Sequence, residues 1–193
     1  MTELSTHERG ITASLAKKWI LENYGKEGLK RVLTRLDQEA QKMLSEPVPH
    51  EWYLLETMKL IYKAIDDEFS GEDPDALRKM GRFIARSSVK GFLKYLARLL
   101  TIEQLIKRVG RFWKHYHKGG GIESEKLPNE GGRRRGLVRI SGYPAGISGC
   151  KAMEGYIEAI LEIAGAKDLL VEKKTCLNKG DEVCTWSLDW AGN

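Results

Sequence analysis

Cysteine and proline are scarce in this chain, which has three cysteines and five prolines among 193 residues. An odd number of cysteines, after the polar opening MTELSTHERG, argues against the disulfide framework of a small secreted protein. Runs of apolar residues also stay well short of the roughly eighteen that a membrane-spanning helix needs. These absences predict a cytoplasmic protein without a signal peptide or a membrane span.

A strong excess of charge is lacking as well. The 32 basic and 27 acidic residues leave a net charge of +5, and the two signs are mixed along the chain. The one basic block, GGRRRG at 131–136, predicts a solvated loop that leads into a strand, because nucleic-acid surfaces recruit many more lysines and arginines. We therefore expect no nucleic-acid partner.

Recognisable catalytic arrangements are missing too. The acidic run at 66–68 predicts a solvated helix face, and the glycines of GYPAGISG lack the spacing of a phosphate-binding loop. In RFWKHYHKGG, His115 and His117 lie two apart and cannot share a metal from one helical face, so they predict surface histidines at a helix end. The sequence favours a non-enzymatic role and leaves enzymatic activity uncertain.

Helical periodicity fills the first two-thirds of the sequence. Apolar residues spaced three and four apart predict helices over 11–24, 26–44, 50–69, about 73–91 and 92–117. After Gly121 the pattern changes to strands, at 137–141 with a partner from Ile122, and at 168–176 and 182–190. A helix over 148–164, with Ser148 as its cap, separates the two strand pairs.

This order predicts an α+β fold, in which an N-terminal helical layer packs on an antiparallel β-sheet with a helix between two hairpins. We predict a single domain over 1–193, with a helical part at about 1–118 and an α+β part at about 122–190.

The three cysteines are predicted to meet. Cys176 and Cys184 flank the turn of the closing hairpin, and on opposed strands their sulfurs can face the same side. Cys150 falls in the first turn of the preceding helix, where the helix dipole favours a thiolate. Three interpretations follow: metal ligands, plain or redox-active thiols, or a disulfide between Cys176 and Cys184.

Residues 132–190 resemble the 4-vinyl reductase-type domain, a small-molecule-binding module related to the haem-NO-binding and TRAPP-subunit folds. The resemblance is carried by Gly149-Cys150, Gly155 in EGYIEAI, Gly165, Val171-Glu172, Cys176, Gly180-Asp181 and Cys184-Thr185-Trp186. Aromatic-sensing transcription activators with this domain hold a zinc with cysteines of this distribution. The resemblance therefore implies a structural zinc on Cys150, Cys176 and Cys184, although Lys173 stands where the family has a glutamate ligand.

The resemblance implies a non-enzymatic ligand-binding or sensory domain, whose apolar pocket takes a small hydrophobic molecule. A dimeric interaction or scaffold protein of the TRAPP-subunit type is the alternative, and an enzyme of tetrapyrrole metabolism is a third. A homodimer is expected, because the TRAPP-type relatives dimerise through helices and the N-terminal helices here are amphipathic. A protein partner is possible because the sequence shows no DNA-binding or ATPase segment as an output, which leaves action through a partner or as a simple carrier.

Overall fold

The computed structural model describes residues 3–88, 102–106 and 108–191. Its helices are α1 (Ile11–Leu33), α2 (Gln38–Ser45), α3 (Leu55–Phe69), α4 (Ala76–Ser88), α5 (Ile102–Ile106), α6 (Val109–Tyr116) and α7 (Gly146–Ile163). Its strands are β1 (His7–Arg9), β2 (Trp52–Leu54), β3 (His117–Lys118), β4 (Gly121–Glu130), β5 (Arg133–Ser141), β6 (Lys167–Thr175) and β7 (Cys184–Ala191).

Local chemistry explains where the first helices begin and end. Gly25 interrupts α1 with a φ of 66°, a left-handed conformation that glycine adopts without strain, so the helix has two segments. The side chain of Asp37 accepts a hydrogen bond from the backbone N–H of Ala40 and caps α2. The apolar faces of α1, α2, α3 and α4 then bury a common core, which includes Trp19, Ile61, Ile65, Phe69 and Met80.

Two antiparallel sheets follow from the strand pairings. The smaller has the order β2-β1-β3 and joins the start of the chain to the region after α6. The larger has the order β4-β5-β7-β6, so β7 lies between β5 and β6 although it comes last in the sequence. Buried and partly exposed residues alternate along β5 and β7, as expected for a sheet with one face against the core.

Helix α7 lies between the helical layer and the larger sheet. Gly81 of α4 and Gly155 of α7 make the close approach of these two helices possible. A Cβ atom on Gly81 would lie 1.9 Å from the carbonyl oxygen of Ala152, and one on Gly155 would lie 1.9 Å from that of Arg78. Only glycine fits at either position.

The predicted fold class is confirmed, including the helix between two hairpins. Two boundaries are wrong: the predicted helix over 26–44 is broken before Asp37, and residues 52–54 form β2 instead of the start of a helix. Strand β1 was also not predicted. The predictions for 89–101 and 107 lie outside the described residues. Among the helices that are described, none combines the length and apolar character needed to cross a bilayer.

Candidate ligand-binding site

A cavity of about 260 Å³ lies between α4, α6, α7 and the inner face of the larger sheet. Apolar side chains form most of its wall, because the buried faces of four elements converge there without a residue large enough to fill the centre. The wall includes Ile84, Phe112, Met153, Ile157, Ile160 and Leu188. Such a cavity favours an apolar molecule slightly smaller than a typical drug-sized ligand.

One end of the cavity is polar, and the smaller sheet builds it. Glu8 of β1 and His117 of β3 are direct partners across the antiparallel pairing of these strands. Opposed residues in such a pair direct their side chains to the same face of the sheet. Both side chains are buried and both line the cavity.

Three hydroxyl groups surround the carboxyl group of Glu8. Tyr62 donates a hydrogen bond of 3.1 Å to one carboxyl oxygen, and Tyr143 donates one of 3.4 Å to the other. Burial raises the pKa of Glu8 to about 7, although hydrogen bonds from Thr12, Tyr62 and Tyr143 act in the opposite direction. Glu8 therefore changes its charge near neutral pH.

His117 is held by aromatic rings. Its imidazole stacks on Trp113 at a centroid distance of 4.0 Å, and Tyr143 meets it edge-on at 5.2 Å. Its Nδ1 is buried and has no hydrogen-bond partner among the described residues. Burial lowers the pKa of His117 to about 3, so the ring is neutral at pH 7. The prediction of a surface histidine is wrong here, because residue 117 begins a strand and turns inward.

Salt bridges connect α4 and α7 on the side that faces away from the cavity. Arg82 of α4 binds Glu158 at 3.0 Å and Glu162 at 2.8 Å, and Arg78 also pairs with Glu158. Glu158 is buried beside the two guanidinium groups. These salt bridges stabilise the contact between the two helices that also line the cavity.

The three cysteine sulfurs converge behind α7, as predicted. The sulfur of Cys150 lies 3.7 Å from that of Cys184 and 3.9 Å from that of Cys176. All three lie within 4.8 Å of one another, and all three side chains are buried. Pairing of Thr175 with Thr185 places Cys176 and Cys184 at the mouth of the hairpin, which explains the convergence.

The charge distribution in the cluster differs from the expectation. A hydrogen bond with Cys150 lowers the pKa of Cys184 to about 7, assisted by the backbone N–H of Leu177 and by the charge of Lys173. The pKa of Cys150 is instead raised, first by its hydrogen bond with Cys184 and then by burial. The thiolate prediction for Cys150 is therefore wrong, and Cys184 is the more acidic thiol.

Lys173 replaces the expected carboxylate ligand with a cation. Its ammonium group is buried, interacts with the Cys150 thiol, and lies 4.3 Å from the ring centre of Trp186. Burial acts to lower the pKa of Lys173, but the neighbouring cysteine thiols outweigh it and the pKa is raised. The group therefore stays charged beside the sulfurs.

The N-terminus of α7 is capped from the closing hairpin. The side-chain oxygen of Asn178 accepts a hydrogen bond of 3.0 Å from the backbone N–H of Gly146, and its amide nitrogen donates one of 3.3 Å to the Cys150 sulfur. The predicted cap, Ser148, lies inside the helix and donates to Asp66 at 2.8 Å. Asp66 also binds Lys151 at 2.8 Å, so it is a helix–helix contact and not a solvated charge.

The architecture matches solved structures despite low sequence identity. An H-NOX protein from S. oneidensis in the Fe(II)NO state matches with a TM-score of 0.72 and 15% identity, over 95% of this chain and 99% of that chain. The Fe(II) unliganded H-NOX protein from K. algicida matches with a TM-score of 0.68 and 10% identity, over 96% of this chain and 97% of that one. The chain has the H-NOX fold. No protein-family model and no curated protein matches the sequence.

These matches support one part of the resemblance drawn from the sequence, the relation to the haem-NO-binding fold. The relation to 4-vinyl reductase-type domains stays a resemblance. Identities of 10% and 15% establish a common architecture and nothing about ligand or activity.

The cavity does not fit a haem, the group that other structures of this fold are described as holding. A volume of about 260 Å³ lies below the range of about 300–1,000 Å³ for drug-sized ligands, and a haem with its four pyrrole rings is larger than a typical ligand of that class. One face of the His117 ring is covered by Trp113. Arg108 is the one cationic side chain among the described lining residues.

The predicted zinc cofactor is wrong. The structures that share this fold are described as Fe(II) and haem proteins and not as zinc proteins. Within this chain, the buried ammonium of Lys173 occupies the neighbourhood in which a cation would need a further anionic ligand. The role of Cys150, Cys176 and Cys184 as ligands of any metal ion stays a prediction.

The polar end of the cavity was missed in the sequence, because its members come from distant segments. Glu8 lies in a short stretch without periodicity, and Tyr62 follows the apolar pattern of α3. The sequence does contain a signal for another part of the site, the pairing of α4 with α7. Arginine recurs every fourth residue in α4, and glutamate recurs every fourth residue in α7: Arg78, Arg82 and Arg86, and Glu154, Glu158 and Glu162. Two complementary charged stripes of this kind indicate a helix pair.

Proposed function

We propose that this chain is a non-enzymatic binding domain, of the sensory kind, that takes a small apolar molecule other than haem in the cavity of about 260 Å³. The observation that carries the proposal is the contrast between the apolar wall and the small polar end. A cavity built only as a packing defect would have no reason to gather a buried carboxyl group and an unpaired imidazole nitrogen. The chain works as a single domain in this proposal.

The shared fold is consistent with a sensor, since its solved relatives are described in distinct ligation states. The TRAPP-type scaffold alternative gains no support from the solved structures reported above. A homodimer and a protein partner stay predictions, which light scattering of the purified protein tests directly.

Binding of the uncharged apolar dye N-phenyl-1-naphthylamine tests the proposal. We expect saturable binding that quenches the fluorescence of Trp113, which lines the cavity. Substituting Trp113→Phe should remove the quenching and leave the dye's own fluorescence increase in place. An absence of saturable binding would overturn the proposed function.

A second test fills the cavity with a larger side chain and compares this variant with a control on the same helix. Ile160 lines the cavity on α7, whereas Ile147 lies on the same helix with 49% of its surface exposed. Ile160→Trp should reduce dye affinity by at least tenfold because the indole occupies the cavity. Ile147→Trp should leave affinity within twofold. Haem added to the wild-type protein should give no specific Soret band, and a sharp band with one haem per chain would contradict the exclusion of haem.

We also propose that the three cysteines join the closing hairpin to α7. Each sulfur lies within 4.8 Å of the others, and the backbone N–H of Leu177 donates to Cys184 at 3.3 Å. The thiols then serve as a buried contact between the sheet and the helix that lines the cavity. Elemental analysis of protein purified without chelator tests their predicted role as metal ligands.

A further inference from the structure

The polar end of the cavity identifies the head group of the ligand. We propose that the apolar molecule carries a protonated primary amine, and that Glu8 and His117 bind its ammonium group. This inference rests on the proposed function, because it concerns the same cavity. It follows from the hydrogen-bonding groups, the aromatic faces and the charges at that end.

The groups at this end are acceptors, and one of them, the Nδ1 atom of His117, lacks a donor in the described part of the chain. The Nδ1 atom of His117 is buried and has no partner among the described residues, and in a neutral ring without a hydrogen on that nitrogen it accepts one hydrogen bond. Glu8 lies directly opposite on the neighbouring strand and offers carboxyl oxygens to the same face. A head group with several donor hydrogens can satisfy both residues at once, and a primary ammonium has three such hydrogens.

Aromatic rings surround this pair of acceptors. Trp113 stacks on His117, and Tyr143 lies edge-on to both rings at 5.3 Å and 5.2 Å. Tyr62 approaches from α3 and also lines the cavity. The faces of tryptophan and tyrosine rings attract cations, most strongly where water is excluded. An ammonium group would therefore be stabilised by its surroundings as well as by its hydrogen bonds.

The charge at this end is unbalanced. Among the described residues that line the cavity, Glu8 and Arg108 are the side chains that can carry a charge near pH 7. Arg108 is exposed to solvent, so its charge is hydrated. An ionised carboxylate that is buried without a cation is costly. A ligand cation would remove that cost. A neutral alcohol would supply only one hydrogen, and a carboxylate ligand would meet a like charge.

The charge of Glu8 links amine binding to pH. Its pKa of about 7 in the free protein means that raising the pH from 6 to 8 converts it from mostly protonated to mostly ionised. The other groups that face it stay neutral in this window: His117 has a pKa of about 3, and burial raises the pKa values of Tyr62 and Tyr143 well above their ordinary value. Thr12 of α1 also contacts Glu8 but does not titrate.

Two isosteric probes test the inference: cyclohexylmethylamine and cyclohexylmethanol, measured by calorimetry and by displacement of N-phenyl-1-naphthylamine. We expect the amine to bind at least tenfold more tightly than the alcohol at pH 8. Amine affinity should fall about tenfold between pH 8 and pH 6, as Glu8 takes up a proton. Alcohol affinity should change less than twofold over the same range.

Glu8→Gln should abolish the preference for the amine and its pH dependence, and a circular dichroism spectrum that matches wild type shows that the fold is preserved. The exposed Glu123→Gln is the matched control and should behave as wild type. His117→Phe keeps a ring for Trp113 to contact and should weaken amine binding several-fold. Equal affinities for the two probes, or a preference that survives Glu8→Gln, would overturn the inference. If the dye binds but the amine does not, only this inference fails; if nothing binds, the proposed function fails with it.

Discussion

Gly81 and Gly155 lie at the crossing of α4 and α7, each against the backbone of the other helix. The wall of the cavity on this side consequently depends on the absence of two side chains. A methyl group at position 155 would lie 1.9 Å from the carbonyl oxygen of Arg78, which is backbone and cannot rotate away.

Gly155→Ala should therefore force the two helices apart. We expect a loss of about 1–3 kcal/mol in the free energy of unfolding, the usual cost of overpacking a close contact. Urea denaturation followed by circular dichroism measures it. Gly71→Ala is the control, because a Cβ there meets nothing within 4 Å, and its stability should change by less than about 0.5 kcal/mol. Equal effects of the two substitutions would contradict the close approach of the helices.

Glu8 should make the protein less stable as the pH rises. Its pKa is raised from 4.5 to about 7 on folding, so its contribution is complete below pH 4.5 and is lost as the pH rises to 7. Glu8→Gln removes this dependence. Relative to wild type, the variant should gain stability between pH 4.5 and pH 8, by up to about 3 kcal/mol. Denaturation at several pH values measures the gain, and Glu123→Gln should show none. A wild-type profile that runs parallel to that of Glu8→Gln would refute the prediction.

The acidity of Cys184 should depend on Cys150 and not on Cys176. The hydrogen bond with Cys150 is the largest cause of the low pKa of Cys184, whereas the charge of Cys176 acts to raise it. Cys150→Ala should thus raise the pKa of Cys184 above 7, and Cys176→Ala should not. Carbon-13 NMR of labelled cysteine Cβ atoms, titrated from pH 5 to 10, resolves each thiol. An increase in both variants would argue for a general loss of structure.

Asn178 should connect the closing hairpin with the start of α7. Asn178→Ala removes the acceptor for the backbone N–H of Gly146 and the donor to Cys150. We expect a loss of about 1–2 kcal/mol, the range found for helix caps. Hydrogen exchange should accelerate in the first turn of α7 and leave its last turn unchanged. The control is Asn129→Ala in the exposed end of β4, for which both measurements should match wild type.

The sequence predicted the elements whose signals are local. The hydrophobic period located α1, α3, α4 and α7, and the cysteine spacing around the Gly180 turn located the thiol cluster. It could not predict β1 and β2, because strands of three residues show no period. The protonation states of the three cysteines could not be predicted either. The order of their pKa values depends on which sulfur donates a hydrogen bond to which and on the burial of Lys173.

The polar end of the cavity also could not be predicted from the sequence. Glu8 and His117 become neighbours only through the pairing of β1 with β3. No spacing rule connects two residues so far apart in sequence, and each alone suggests an ordinary surface charge or a surface histidine. Their meeting depends on long-range pairing, which a single sequence does not reveal.

The position of β7 has a consequence for how the protein is made. It lies between β5 and β6, yet it is synthesised after both. Until β7 is made, β6 has no partner strand in this sheet, and α7 lacks its buried partner Trp186. The apolar faces that later enclose the cavity are therefore open to solvent and to chaperones until residues 184–191 have left the ribosome. The ligand has no cavity to enter before that moment, so binding follows the synthesis of β7 and cannot guide the earlier steps of folding.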